Sequence, residues 1–273
     1  MNRACRWFVL ATAICGSAVL LHGCATQGQG QQAPGGGTKD RVTASDETDV
    51  AKRARVRMEL ATAYFSRGQF TTALDEVKMA LTVQPNMGDA YNLRGLIYGA
   101  LGDDQLTQES FQRALQINPR DGDAMHNYGW YQCQQRRYAE AEQLFQQAVA
   151  SPDYLNAPRT MLTSGICQAR AGRWTEAEAT LNKAYERDPA NPAIAVNLSE
   201  VLLRRGEYER ARFYMRRVNA VPDYQSAQTF WLAARIEMKL GNRQGAYDYG
   251  AQLRSRFPQS RESGAFDRGQ FDE

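Results

Sequence analysis

The sequence predicts an all-α fold, a right-handed solenoid of about six helix-turn-helix repeats. Three observations carry this. Prolines recur at Pro85, Pro119, Pro189 and Pro258, with gaps of 34, 70 and 69 residues, which are one, two and two periods of about 34–35. Aligned on that proline, the eighth position of each period is small: Ala61, Gly95, Gly129, Gly165, Ser199 and Ala234. Between the two helical halves of most periods lies a glycine turn: Arg67-Gly68-Gln69, Leu101-Gly102-Asp103, Ala171-Gly172-Arg173, Arg205-Gly206-Glu207 and Leu240-Gly241-Asn242. A period of 34 with this punctuation is that of the tetratricopeptide repeat.

The first element, residues 1–23, reads as a secretory leader. Arg3 and Arg6 precede Trp7–Leu21, an uncharged and mostly apolar run of 15 residues. A spanning helix needs about 20 such residues, so the run fits a signal segment and is short for a span. It ends in Leu21-His22-Gly23-Cys24, which resembles a bacterial lipobox with Cys24 as the lipid attachment site. His22 departs from the small or aliphatic residue usual there. The resemblance implies a permanent acyl anchor on Cys24, and Ala25 in place of an aspartate implies sorting to the outer membrane, periplasmic face. Residues 24–48 are rich in Gln, Gly, Thr and Ser and hold hardly any large apolar residue, the composition of a tether. Gly28-x-Gly30-x-x-Ala33 matches a dinucleotide fingerprint as a string, but no strand precedes it and no helical pattern follows.

The repeats occupy residues 49–258. Position 20 is Ala73, Thr107, Ala141, Ala177, Ala211 and Ala246, and position 24 is Val77, Phe111, Phe145, Leu181 and Met215. Small residues at 8 and 20 let the two helices of a repeat, A and B, approach closely, and the bulky residue at 24 fills the groove between them. Three departures stand out. The third turn, Gln135-Arg136-Arg137, lacks glycine; the sixth repeat has Gly250 at position 24; and the connections after repeats three and five are longer, each containing a Pro-Asp-Tyr element (Pro152 to Tyr154 and Pro222 to Tyr224). The superhelix is expected to bend or loosen at those connections. Residues 259–273 read as a polar tail that frays.

Such solenoids usually bind an extended peptide or a helix on the concave face lined by helix A. The groove-facing positions are 2, 5, 9, 12 and 13. They give Arg55, Met58, Thr62 and Phe65 in repeat one, Asn92 and Leu96 in repeat two, and His126, Trp130 and Gln134 in repeat three. Repeat four adds Leu162, Ile166 and Arg170, and repeats five and six add Glu200, Arg204, Trp231, Arg235 and Lys239. The early half is apolar and aromatic, suited to an apolar peptide or an amphipathic helix; the late half is charged. Packing by the neighbouring repeat competes with groove exposure at each aromatic position.

Composition narrows the chemistry. The formal charge of +3 falls to +1 once Arg3 and Arg6 leave with the leader, so no net field attracts nucleic acid. Of two histidines, His22 lies in the leader and His126 stands alone, which excludes a histidine metal cluster and a histidine catalytic pair. No cofactor, metal, catalytic residue or small-molecule substrate is expected. Cys133 and Cys167, 34 residues apart without Cys-x-x-Cys spacing, are expected to be two buried structural thiols, although pairing is open to them in an oxidising compartment.

The combination of lipobox, polar tether and six repeats resembles the pilotin family of type IV pilus biogenesis and stability lipoproteins (PilF/PilW). His126-Asn127-Tyr128-Gly129-Trp130-Tyr131 with Arg136-Arg137-Tyr138 is similar to that family's third repeat, and Leu253-Arg254-Ser255-Arg256-Phe257-Pro258 to its C-terminal end. The resemblance covers residues 54–260. It implies binding of a type IV pilus secretin subunit, mostly through the early repeats, with the lipid carrying the pair to the outer membrane, where the secretin multimer assembles and supports twitching motility. A general lipoprotein scaffold for peptidoglycan or envelope-assembly proteins shares the same leader, tether and repeats. An enzyme is disfavoured by the missing nucleophile motif, histidine pair and phosphate loop.

Overall fold

The computed structural model describes residues 48–272, so the leader, Cys24 and nearly all of the tether lie outside the described residues. Among the described residues there are thirteen α-helices and no strand. The six A/B pairs are α1 (Asp49–Ser66) with α2 (Phe70–Val83), α3 (Gly88–Leu101) with α4 (Asp104–Ile117), and α5 (Gly122–Gln134) with α6 (Tyr138–Ala150). They continue as α7 (Ala157–Arg170) with α8 (Trp174–Arg187), α9 (Pro192–Arg204) with α10 (Tyr208–Asn219), and α11 (Ala227–Lys239) with α12 (Arg243–Arg256). A short α13 (Arg261–Asp267) follows.

The close crossing of A and B is visible in what a methyl group would meet. A Cβ at Gly95 would lie 2.8 Å from the Phe111 ring, one at Gly129 would lie 2.8 Å from the Phe145 ring, and one at Gly165 would lie 2.6 Å from Leu181. Positions 8 and 24 are thus in direct van der Waals contact, and glycine at 8 is what allows an aromatic or leucine at 24. The deviating Thr107 at position 20 is fully buried and satisfies its hydroxyl by donating to the Asp103 carbonyl at 2.6 Å. Between repeats, Glu142 pairs with Arg173 at 2.6 Å, and the buried Glu178 pairs with Arg205 and, at 2.7 Å, with Arg210.

The turn that lacks glycine keeps the glycine geometry. Gly68, Gly102, Gly172, Gly206 and Gly241 all have φ between 73° and 80°, and Arg136 takes φ 61° at the equivalent point. The repeat geometry imposes a left-handed residue there, and Arg136 adopts it at a cost of roughly 1–2 kcal/mol.

Three expectations are corrected. Cys133 and Cys167 are buried, at 2% and 3% exposure, but they are not free thiols: they form a disulfide with Cα atoms 5.9 Å apart. The repeat is 36 residues long here, from Gly129 to Gly165, so a separation of 34 sets Cys133 at position 12 of α5 against Cys167 at position 10 of α7, the A helices of consecutive repeats. The connection after repeat three is not loosened. The Tyr154 ring packs over Gly122, where a Cβ would come within 2.4 Å of it, and its hydroxyl lies 2.8 Å from Thr160 Oγ1. The second Pro-Asp-Tyr element behaves differently: Pro222–Tyr224 form a 3-10 turn and Tyr224 stays exposed.

The third correction concerns the tail. Residues 261–267 are helical, capped by the Ser260 hydroxyl accepting from the Ser263 amide at 3.0 Å, and Phe266 is only 4% exposed. Phe266 also explains Gly250. A Cβ there would lie 2.0 Å from the Phe266 ring, so the bulky group missing from position 24 is supplied by α13. The tail therefore closes the trailing end of the solenoid. At the leading end Val56, Leu60 and Met79 remain exposed.

Candidate functional site

The candidate site is the stripe of positions 5, 9 and 13 that each A helix turns toward the inner face, flanked in repeat one by Arg55 at position 2 and Phe65 at position 12. A spacing of four residues keeps these side chains in one row, and stacking sets the rows side by side. In repeat one, Met58 and Phe65 are half-buried against the core of the first two repeats, with Phe65 5.6 Å from the Phe70 ring. Thr62 and Arg55 are exposed, and the Thr62 hydroxyl donates to the Met58 carbonyl at 2.9 Å. Asn92 accepts from Asn127 Nδ2 at 3.1 Å, and Leu96 packs between the first two repeats and the Phe111, Tyr128 and Tyr131 cluster. Trp130 packs beside the disulfide, and the Arg170 guanidinium lies 4.6 Å above its ring. Gln134 is exposed at the end of α5.

His126 does not belong to this surface. It is 5% exposed, and its Nδ1 lies 2.8 Å from Thr160 Oγ1, which Tyr154 also reaches. The sequence register places it in the row; the two extra residues after repeat three bring Tyr154 and Thr160 over it. Burial holds its pKa down at about 4, with Arg159 lowering it further and Asp123 partly opposing. His126 is therefore neutral at pH 7. The unfolded chain, with a histidine near 6.5, binds more protons between pH 4 and 6.5, so stability is complete above about 6.5 and falls as pH drops through this window. The expected loss by pH 4 is about 3 kcal/mol. Urea midpoints between pH 7.5 and 5 should show this slope, and His126→Gln should flatten it; an unchanged slope would mean that other groups set it.

In repeats four to six the row changes character. Leu162 and Ile166 are half-buried, and Arg170 and Arg204 are exposed. Glu200 accepts from Arg235 at 3.1 Å and lies 3.4 Å from Arg204. Trp231, Arg235 and Lys239 are not an open charged face, because the residues after α13 lie on them: Phe271 is 5.3 Å from the Trp231 ring and Asp272 pairs with Lys239. A cleft of about 230 Å³ opens between α7 and α9, lined by Ile166, Ala169, Arg170, Trp174, Val201 and Arg204. The A-helix positions gave Ile166, Arg170 and Arg204; they missed Trp174, which starts helix B, and Val201, one residue off the row. A tryptophan at the first position of a B helix was the available signal.

Among the described residues, no group of three or more His, Cys, Asp or Glu side chains is placed to hold a metal ion, and no helix is long and apolar enough to cross a membrane. A bound protein segment is what this arrangement of half-covered apolar groups and rim charges can accommodate.

Helix pairs stacked in this way make the chain a tetratricopeptide-repeat protein, and tetratricopeptide-repeat family models match residues 88–121, 110–143 and 168–229. The chain is 30% identical to PilW, a widely conserved type IV pilus biogenesis factor, whose crystal structure superposes with a TM-score of 0.72 over 81% of this chain and 99% of that one. It is 26% identical to the type IV pilus assembly protein PilF of Pseudomonas aeruginosa over 90% of this chain and 92% of that protein. The structure of Pseudomonas aeruginosa PilF shares the fold at a TM-score of 0.68 and 23% identity. The chain belongs to the PilF/PilW family of type IV pilus biogenesis proteins.

Proposed function

We propose that the protein is an outer-membrane lipoprotein pilotin, anchored through Cys24, that binds a type IV pilus secretin subunit on its inner face and promotes the secretin's localisation and multimer assembly. The observation that carries the reading is the partly uncovered apolar row. Met58, Phe65, Leu96, Trp130, Leu162 and Ile166 are each half-buried after the repeats have stacked, leaving apolar surface along one side of the successive A helices α1, α3, α5 and α7. Surface of this kind gains by covering, at about 25 cal/mol per Å². Family membership supports a partner within the pilus machinery, and the lipobox-like Leu21-His22-Gly23-Cys24 supports the anchor.

The test has two arms. Affinity capture from detergent-solubilised envelope should bring down the secretin, and deletion of the gene should deplete secretin multimers and abolish twitching. Normal multimers in the deletion strain, with soluble envelope-assembly proteins in the capture, would replace the pilotin by a general scaffold. Cys24→Ser should move the protein out of the outer-membrane fraction; unchanged fractionation would sink the anchor.

A further inference from the structure

Two places on the inner face of the late repeats invite comparison, one filled and one open. The filled one is the row on α11. Phe271 packs at a tilt against Trp231, its carbonyl accepts from Arg235 Nε at 3.4 Å, and the next residue, Asp272, sets its carboxylate on Lys239. An aromatic side chain followed directly by a carboxylate thus spans positions 5, 9 and 13 of one A helix.

The open one is the cleft between α7 and α9. Its floor is apolar, from Ile166, Ala169 and Val201, and its rim holds Arg170 and Arg204, both at position 13, where α11 has Lys239. The one carboxylate in its lining, Glu200, is shared between Arg235 at 3.1 Å and Arg204 at 3.4 Å, so it does not balance the three guanidiniums around it. Arg170 lies over Trp130 and makes no ion pair among the described residues. The cleft therefore combines an apolar floor, half-uncovered at Ile166 and Ala169, with surplus positive charge, the same pairing of apolar seat and cation that α11 offers Phe271 and Asp272. A carboxylate set between the two guanidiniums would form charge-assisted hydrogen bonds, stronger than neutral ones.

We propose that the cleft between α7 and α9 is a docking subsite for an extended partner segment in which an aromatic or aliphatic side chain is followed directly by a carboxylate, seated as the chain's own Phe271 and Asp272 are seated on α11. This rests on the reading above that the inner face binds a protein partner, and it names the chemistry that the partner presents there.

The test uses the full-length chain in detergent and two fluorescein-labelled pentapeptides, Gly-Gln-Phe-Asp-Glu, copied from residues 269–273, and Gly-Gln-Phe-Lys-Lys. Anisotropy titrations should show the acidic peptide binding about tenfold tighter or more, and Arg170→Glu with Arg204→Glu should remove that preference. Arg170→Gln alone should weaken it, which keeps the test decisive if the double variant loses its helical circular dichroism. Lys239→Glu should leave the preference intact, since it alters only the filled row. Equal binding of the two peptides would overturn the proposal. So would no binding at millimolar peptide, or loss of preference in Lys239→Glu but not in the Arg170 variants. Secretin capture with the wild-type chain separates the two readings. If the wild type captures none, the proposed function fails, and the peptide comparison still decides the cleft.

Discussion

Phe266→Ala is expected to cost the trailing end of the solenoid about 3–5 kcal/mol. The residue lies outside every repeat, yet its ring sits in the groove of the sixth one, against Phe230, Ala234 and Leu253. It also meets Trp231 at 6.3 Å and Phe271 at 5.4 Å, with Arg254 at 5.0 Å over its face. Removing it leaves a cavity beside Gly250, where no side chain exists to relax into the space. Because a solenoid is held by nearest-neighbour interfaces, the damage should be local: α11 to α13 open first, while the early repeats keep their stability. Hydrogen exchange resolved by segment should show protection lost in residues 227–267 and retained in α3 to α8. A second substitution makes the argument specific. Gly250→Leu alone should destabilise by overpacking, whereas Gly250→Leu in the Phe266→Ala background should recover part of the loss, since it restores the bulky residue that position 24 carries elsewhere. Strict additivity of the two changes would show that Phe266 does not occupy the place of that side chain.

The same pair of residues shows what the sequence could and could not convey. Periodicity made the repeats legible because positions 8, 20 and 24 recur in register and each recurrence has a packing cause, seen directly at Gly95 against Phe111 and Gly129 against Phe145. Gly250 broke that pattern and read as degeneracy, because its partner comes from a segment with no period of its own. His126 was placed in the groove row by register, and the two extra residues that precede α7 bury it under Thr160 and Tyr154. The polar tail read as frayed because Phe266 and Phe271 are isolated in a charged stretch, with no helical stripe to announce them. Arg136 did fill the turn that lacked a glycine, since the repeat's geometry overrides the residue's own preference at modest cost. Of the candidate site, the row itself was readable; which of its members stay uncovered depended on contacts between repeats that spacing within one repeat does not encode.

Reducing the Cys133–Cys167 bond should lower stability by about 2–4 kcal/mol while leaving helix content at neutral pH unchanged. The chain-entropy model gives about 4 kcal/mol for a closed loop of this length, and the loop holds α6, the Pro-Asp-Tyr connection and most of α7. That is the place where the period lengthens, so the bond ties together the two repeats that the extended connection would otherwise join least regularly. The two cysteines share a buried cluster with Ala141 and Phe145, against which Trp130 packs, so reduction returns two small apolar thiols to a packed site and disturbs the core little. Urea unfolding with and without reductant, repeated on Cys133→Ser with Cys167→Ser, should give matching midpoints for the reduced and doubly substituted chains, both below the oxidised one. Exchange should rise in α6 and α7 before it rises in α3 or α9. An oxidised midpoint equal to the reduced one, together with alkylation of both thiols in unreduced, unfolded protein, would remove the bond from the account. The bond is also sensitive to compartment, because a disulfide persists where thiols are oxidised and is reduced where glutathione and thioredoxin keep them so. The chain produced in a reducing cytosol should accordingly be isolated with both thiols free and show the reduced midpoint, and the chain produced in an oxidising compartment should show the oxidised one.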